Sequence, residues 1–182
     1  AAKCAEARVT FVGPAPESLQ LFGDKTAARA LAKKCGVPLV PGTDGATNLE
    51  EARAFFAENG AMMIKAVSGG GGRGMRVVQD VADLDDAFER CGSEALQAFG
   101  DGDVYVERFL PRVRHIEVQV VGDGTGAVSH LWERECSIQR RNQKIVEIAP
   151  SPTLDPGLRD KLIAEALKMA GETKYLGLGT FE

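Results

Sequence analysis

Four consecutive glycines, Gly69 to Gly72, stand between two apolar runs and restrict the middle of the chain more than any other feature. Each glycine lacks a Cβ and loses the most freedom on ordering, so Ser68-Gly69-Gly70-Gly71-Gly72-Arg73-Gly74 reads as a loop. Before it, Met62-Met63-Ile64-Lys65-Ala66 is an apolar strand interrupted by one lysine; after it, Met75-Arg76-Val77-Val78 is the return strand. The pair is predicted to be a hairpin with a glycine tip. Such a tip is either a mobile turn with no ligand, or a cradle whose backbone N–H groups close on anionic oxygens while Lys65 adds charge. No Gly-Lys-Ser/Thr follows and no helix opens there, which sets aside a Walker A loop and a dinucleotide fingerprint. Mobility at the tip suits a lid over a nucleotide.

The rest of the chain alternates helices and strands. A short strand is expected over 8–14, ended by Gly13-Pro14. A helix over 24–35 follows, with Gly36 just past its end and Pro38 beyond. Thr47 and Glu50 form a predicted capping box for a helix to Asn59-Gly60, and Asp80 caps one that ends near Gly100. Strands are expected over 104–109, 115–121 and 127–132, the last two joined by Gly122-Asp123-Gly124-Thr125-Gly126. Asp155-Pro156 opens a helix to about Gly171 before a final strand. The pattern is α+β with mostly antiparallel pairing, in a smaller lobe over 37–109 and a larger sheet.

Bulk properties narrow the function. The 182 residues carry a net charge of −4, which argues against a nucleic-acid binder. No apolar run is long enough to span a bilayer, and the first residues carry no signal-peptide core, so cytosol or a mitochondrial matrix is expected. Cys4, Cys35, Cys91 and Cys136 lack metal-ligand spacing and suggest no disulfide framework. Both ends read as cut, the first inside a helix tail and the last inside a strand.

Four further constellations can carry chemistry. Val104-Tyr105-Val106-Glu107-Arg108-Phe109-Leu110 is either an ordinary strand or a linker presenting its backbone to an adenine edge. His115, Glu117 and Gln119 alternate with Ile116, Val118 and Val120, giving one polar face, solvated or facing a ligand. Residues 133–144 place Arg134, Arg140, Arg141 and Lys144 among amides and Cys136, between Leu131-Trp132 and Ile145-Val146, which are expected to be buried. Cations held near a core need anionic partners, and phosphate or bicarbonate would suit. Glu182, on the last strand, is a plausible magnesium ligand.

Taken in order, these segments resemble the biotin carboxylase family of ATP-grasp enzymes. The matching residues are Phe11-Val12-Gly13-Pro14, Gly23-Asp24-Lys25, Val37-Pro38, Val40-Pro41-Gly42, Ile64-Lys65-Ala66 through Gly74-Met75-Arg76, Glu107 to Leu110, Arg114 to Gln119, Glu133 to Lys144, Ala149-Pro150 and Gly179 to Glu182. The resemblance implies an ATP-grasp fold, with 1–36 as the remnant of a leading domain and linker helix, 37–109 as the lid, and 110–182 as the first part of the following subdomain. It implies that Lys25 and Lys65 bind ATP phosphates under the loop Gly69, Gly70, Gly71 and Gly72. Glu107, Arg108, Phe109 and Leu110 would hold adenine, His115 would reach the ribose, and Gln139 and Asn142 would line the site. Lys144, with Lys65 a catalytic candidate, would position bicarbonate, and Glu182 would bind magnesium (or manganese). Asn142 stands where most such proteins carry His, and Arg108 where Lys is common.

The implied activity is ligase chemistry: ATP- and bicarbonate-dependent carboxylation of biotin on a carrier domain, coupled to a carboxyltransferase, in an oligomeric parent. The chain by itself is expected to be inactive. A different ATP-grasp ligase, such as a carbamoyl-phosphate synthase half, and a non-catalytic nucleotide-binding module are the alternatives.

Overall fold

The computed structural model describes residues 1–68, 74–140 and 143–182. Its helices are α1 (Ala2–Glu6), α2 (Pro16–Gly23), α3 (Lys25–Lys34), α4 (Leu49–Asn59), α5 (Leu84–Phe99) and α6 (Pro156–Glu172). Its strands are β1 (Met62–Ala66), β2 (Met75–Val78), β3 (Val104–Arg108), β4 (Ile116–Asp123), β5 (Val128–Arg140), β6 (Gln143–Ile148) and β7 (Leu176–Phe181). The chain divides into two compact units, one of residues 22–34 and 38–112, the other of residues 1–21, 35–37 and 113–182.

The first unit is built on the antiparallel sheet β2-β1-β3. Strand periodicity sends Met62, Ile64 and Ala66 to one face, all buried, and leaves Lys65 on the other. Met62 and Ile64 pack with Val78, Val104 and Val106 from the neighbouring strands and with Ala52, Leu84 and Cys91 from α4 and α5. Gly36, at φ 69°, follows α3, and Gly100, at φ 77°, follows α5, both in the left-handed region where a Cβ is costly. Asp80 caps a 3-10 turn, Val81–Asp83, that leads into α5 by accepting from Ala82 N at 2.9 Å.

The second unit carries the antiparallel sheet β6-β5-β4-β7, with α6 against β4 and β5. Helix α6 buries Ile163, Ala166, Met169 and Ala170. Its first turn is fixed by Asp155, whose carboxylate accepts from Leu158 N at 3.0 Å, with Pro156 in the first helical position.

Several expectations are corrected. Residues 8–14 form no strand: they pair with no neighbouring strand, and Val9 and Val12 are exposed. Helix α2 has no counterpart in the sequence reading. The capping box sits one residue later than expected, with Asn48 accepting from Glu51 N and Glu51 accepting from Asn48 N, both at 2.9 Å. Thr47 instead turns inward, its hydroxyl donating to Thr43 Oγ1 at 2.7 Å. Strand β5 runs on through Arg140 and β6 pairs with it, so most of the polar stretch 133–144 is strand. Leu131, Trp132, Ile145 and Val146 are exposed rather than buried, with the Arg159 guanidinium 5.4 Å over the Trp132 ring. The face of His115, Glu117 and Gln119 is not simply solvated: Glu117 is fully buried.

Candidate functional site

In the first unit, three cations gather around one carboxylate. Lys25 opens α3, where Asp24 accepts from Thr26 N at 2.9 Å and Ala27 N at 3.0 Å and so fixes the helix start. Its ammonium reaches back to β1, donating to Ala66 O at 3.0 Å. Burial pulls the Lys25 ammonium below its usual range, and the charge of Lys65 pulls it further. Lys65, at the polar face of β1, pairs with the Glu107 carboxylate at the end of β3. The other carboxylate oxygen lies 3.6 Å from Arg29 Nη1. Burial, and after it the Glu107 charge, pushes the neighbouring Tyr105 phenol upward.

The segment expected to meet adenine is held by backbone bonds. Val106 O accepts from Thr43 N at 2.9 Å, Arg108 N donates to Pro41 O at 2.8 Å, and Phe109 N donates to Ala61 O at 2.9 Å. Arg108 and Leu110 are exposed, Glu107 and Phe109 half-buried. Residues 40–43 therefore run alongside β3 as a short extra edge, with a bridge between Gly42 and Glu107.

In the second unit, Lys144 on β6 is held between two carboxylates. Glu117 on β4 takes its ammonium on one side, and Glu182, just past β7, takes it on the other at 2.5 Å. Burial alone would lower the Lys144 ammonium, but these two hydrogen-bonded carboxylates outweigh it and hold the group at about 12. Glu117 also pairs with Arg134, which in turn meets Glu147 at 2.6 Å. A carboxylate with no exposure is tolerated here because two cations compensate it. Burial would raise the Glu182 carboxyl, yet Lys144 and His115 leave it net lowered.

His115, one residue before β4, points its Nε2 to Glu182 Oε1 at 3.3 Å, while its Nδ1 lies 3.1 Å from Gln139 Nε2. Gln139 also donates to Cys136 O at 2.9 Å. Cys136 is buried, and its thiol is pushed up to about 11 by burial first and then by Glu117.

The structure thus brings Lys25, Lys65 and Glu107 together in one unit, and His115, Gln139, Lys144 and Glu182 together in the other. Gly69 to Gly72 and Asn142 lie outside the described residues. Sequence reading passed over Arg29, which looks like an ordinary solvated arginine on a helix. It also left Glu117 as one member of a polar face; a lone acidic residue inside a strand of apolar neighbours was the available signal.

As to metal, hard cations such as magnesium take oxygen ligands. Glu182 offers such an oxygen at a half-exposed position, although Lys144 and His115 already engage it, while the fully buried Glu117 is engaged by Lys144 and Arg134.

Residues 24–182 match the family described as carbamoyl-phosphate synthase L chain, ATP binding domain. A pyruvate carboxylase from Schizosaccharomyces pombe is 55% identical over 184 residues, covering 100% of this chain and 16% of the relative. The crystal structure of a biotin carboxylase–β,γ-ATP complex from Campylobacter jejuni superposes with a TM-score of 0.95 at 45% identity, covering 99% of this chain and 41% of that one. The biotin carboxylase domain of Hydrogenobacter thermophilus 2-oxoglutarate carboxylase, solved with MgADP, ADP and bicarbonate, gives 0.93 at 44% identity, covering 99% of this chain and 40% of that one. The chain spans about a sixth of the length of the curated relative and about two fifths of the solved ones. With its fold that of biotin carboxylase, a member of the ATP-grasp class, the chain belongs to the family of carbamoyl-phosphate synthase L chain ATP-binding domains.

Proposed function

We propose that the protein carrying this chain is an ATP-grasp ligase that uses magnesium-ATP and bicarbonate to carboxylate biotin. The observation that carries this reading is Lys144, an ammonium fixed by Glu117 and Glu182 and held protonated far above neutral pH. A permanently charged, immobile cation is what a small oxyanion such as bicarbonate needs for orientation. The identity to a pyruvate carboxylase, and the likeness to a biotin carboxylase domain solved with MgADP and bicarbonate, support the same substrates.

In this reading Lys25 and Lys65 bind the polyphosphate, with the amides of Gly69 to Gly72 as further donors. The backbone from Glu107 to Leu110 faces adenine, His115 the ribose, and Gln139 and Asn142 the rest of the nucleotide. Glu182 supplies a carboxylate to magnesium, which contributes charge neutralisation at the phosphates when bound. A bicarbonate oxygen attacks the γ-phosphorus, its bond to the β-phosphate oxygen breaks, and ADP departs. The C–O bond of the resulting carboxyphosphate breaks to give carbon dioxide and phosphate, the biotin ring nitrogen bonds to that carbon, and its proton leaves with the phosphate. The lysines stabilise the charge that develops on the transferred group.

The partners that follow from this reading are a biotinylated carrier and a carboxyltransferase, in an oligomeric parent, one solved relative being described as a domain dimer. The divisions 1–36, 37–109 and 110–182 belong to this reading as leading remnant, lid and following subdomain. The four cysteines are free thiols, in keeping with a reducing compartment such as cytosol or mitochondrial matrix. The family description also covers carbamoyl-phosphate synthases, which would use ammonia in place of biotin.

The test is ADP release by the complete enzyme with ATP, bicarbonate and free biotin, each omitted in turn. Release that requires bicarbonate and rises with biotin is expected. Release stimulated by ammonia and indifferent to biotin would move the protein to the other branch.

A further inference from the structure

On the edge of β3 that faces away from β1, a side chain does the work of a strand carbonyl. Val106 is fully buried, and both of its backbone groups on that edge go to one residue, Thr43. Thr43 N donates to Val106 O at 2.9 Å, and Val106 N donates to Thr43 Oγ1 at 3.1 Å. A threonine hydroxyl has one proton to give and two lone pairs to offer. The second lone pair takes the Thr47 hydroxyl at 2.7 Å, and the proton faces Gly45 O at 3.3 Å and Val106 O at 3.4 Å. On either side, Thr47 N donates to Val104 O and Arg108 N donates to Pro41 O, both at 2.8 Å. Gly42 lets the segment come this close: a Cβ there would stand 2.9 Å from Val106 O and 3.0 Å from Glu107 Cβ.

We propose that Thr43 is a positioning residue: its hydroxyl sets where the backbone after β3 lies, and through it the seat of the nucleotide base. The inference rests on the reading above that the backbone from Glu107 to Leu110 faces adenine. In a strand the N–H and C=O of one residue point to the same side, and the side alternates along the chain. Val106 and Arg108 therefore share an edge, and Leu110 N follows on it, whereas Phe109 N goes to Ala61 O on the other side at 2.9 Å. Among the described residues, 41–47 cover that edge as far as Arg108 N. Whatever meets the backbone beyond that point meets it at a place fixed by Thr43. A valine there would keep the shape of the side chain but leave Val106 N without its acceptor in a buried position. An unmade hydrogen bond of that kind is costly, so the edge would shift to find another partner.

The experiment compares the complete enzyme with its Thr43→Val and Thr43→Ser variants, titrated by calorimetry with MgATP, adenosine and magnesium tripolyphosphate, with folding checked by thermal unfolding. Thr43→Val should weaken MgATP and adenosine alike, about tenfold, while tripolyphosphate changes by less than about twofold. Thr43→Ser keeps the hydroxyl and should stay within about twofold of the unsubstituted enzyme for all three ligands. Should Thr43→Val fail to fold, Thr47→Val takes its place: it removes only the donor that fixes the Thr43 hydroxyl, and should weaken MgATP and adenosine about threefold with tripolyphosphate unmoved. Unchanged adenosine affinity in the variant that folds, an equal loss for tripolyphosphate, which marks general destabilisation, or a serine variant as weak as the valine one would each overturn the proposal. An unsubstituted enzyme that binds MgATP but releases no ADP with bicarbonate and biotin refutes the reaction alone and leaves these titrations readable. An unsubstituted enzyme that binds no MgATP refutes both.

Discussion

Glu135 accepts a hydrogen bond from Arg114 Nε at 2.9 Å, tying the residue before His115 to the strand that carries Gln139. Ser137 extends the tie: it donates to Glu135, and its Oγ accepts from His115 N at 2.7 Å. Ser151 completes it, donating to Glu135 Oε2 at 3.1 Å and accepting from Arg114 Nη2 at 2.8 Å. Arg114, more than the opposing effect of burial, holds the Glu135 carboxyl below its usual range.

A depressed carboxyl contributes stability that is present above its unfolded value, about 4.5, and lost as pH falls through its folded value. Glu135→Gln should therefore cost stability at pH 7, and the gap to the unsubstituted enzyme should close as pH falls below the ordinary carboxylate range and through the lowered folded value. Urea unfolding at a series of pH values reads this directly. A gap that widens in acid would contradict the assignment.

Glu117 offers a sharper test, since a fully buried carboxylate compensates Arg134 and Lys144. Glu117→Gln should destabilise the fold by about 3 kcal/mol, the lower end for breaking a buried pair, because both cations keep some contact with water. Denaturant unfolding should show it. A loss under about 1 kcal/mol would mean the cations are stabilised by something else.

Lys144→Gln removes the fixed ammonium while keeping a polar side chain. Bicarbonate-dependent ADP release should fall on the order of 100-fold, as for loss of one transition-state donor, with MgATP affinity nearly unchanged. Because Lys144 titrates at about 12, the pH profile of the unsubstituted enzyme should show no limb from this group between pH 6 and 10. A Lys144→Gln variant with full turnover would remove the bicarbonate role.

Asn48 should matter and its neighbour should not cap. Asn48→Ala removes one arm of the capping box and should cost about 1 kcal/mol, with Asn48→Asp tolerated. Thermal unfolding separates the two. Equal stability of Asn48→Ala and the parent would deny the cap.

Much of this fold was readable from local chemistry. The glycine run between Lys65 and Met75 required a turn, and β1 and β2 do pair antiparallel on either side of it. Gly36 and Asp155-Pro156 marked helix ends that the structure keeps. What stayed hidden depended on partners distant in sequence. Glu117 is buried because Arg134 and Lys144 come to it from two other strands, 17 and 27 residues on, and no period-two pattern reports that. Arg29 meets Glu107 from the far end of its unit for the same reason. Asn48 and Thr47 are both good caps; the expectation fell on Thr47, and the inward bond of Thr47 to Thr43 leaves the cap to Asn48.

The Glu117 pairings also act as an alignment key. Sliding β4 by a single position would turn that carboxylate to the opposite face of the sheet and take from Arg134 and Lys144 the anion they share. Mispaired versions of the sheet are thereby penalised at one point, the same point that orients the ammonium, so correct assembly and a charged pocket arrive together or not at all.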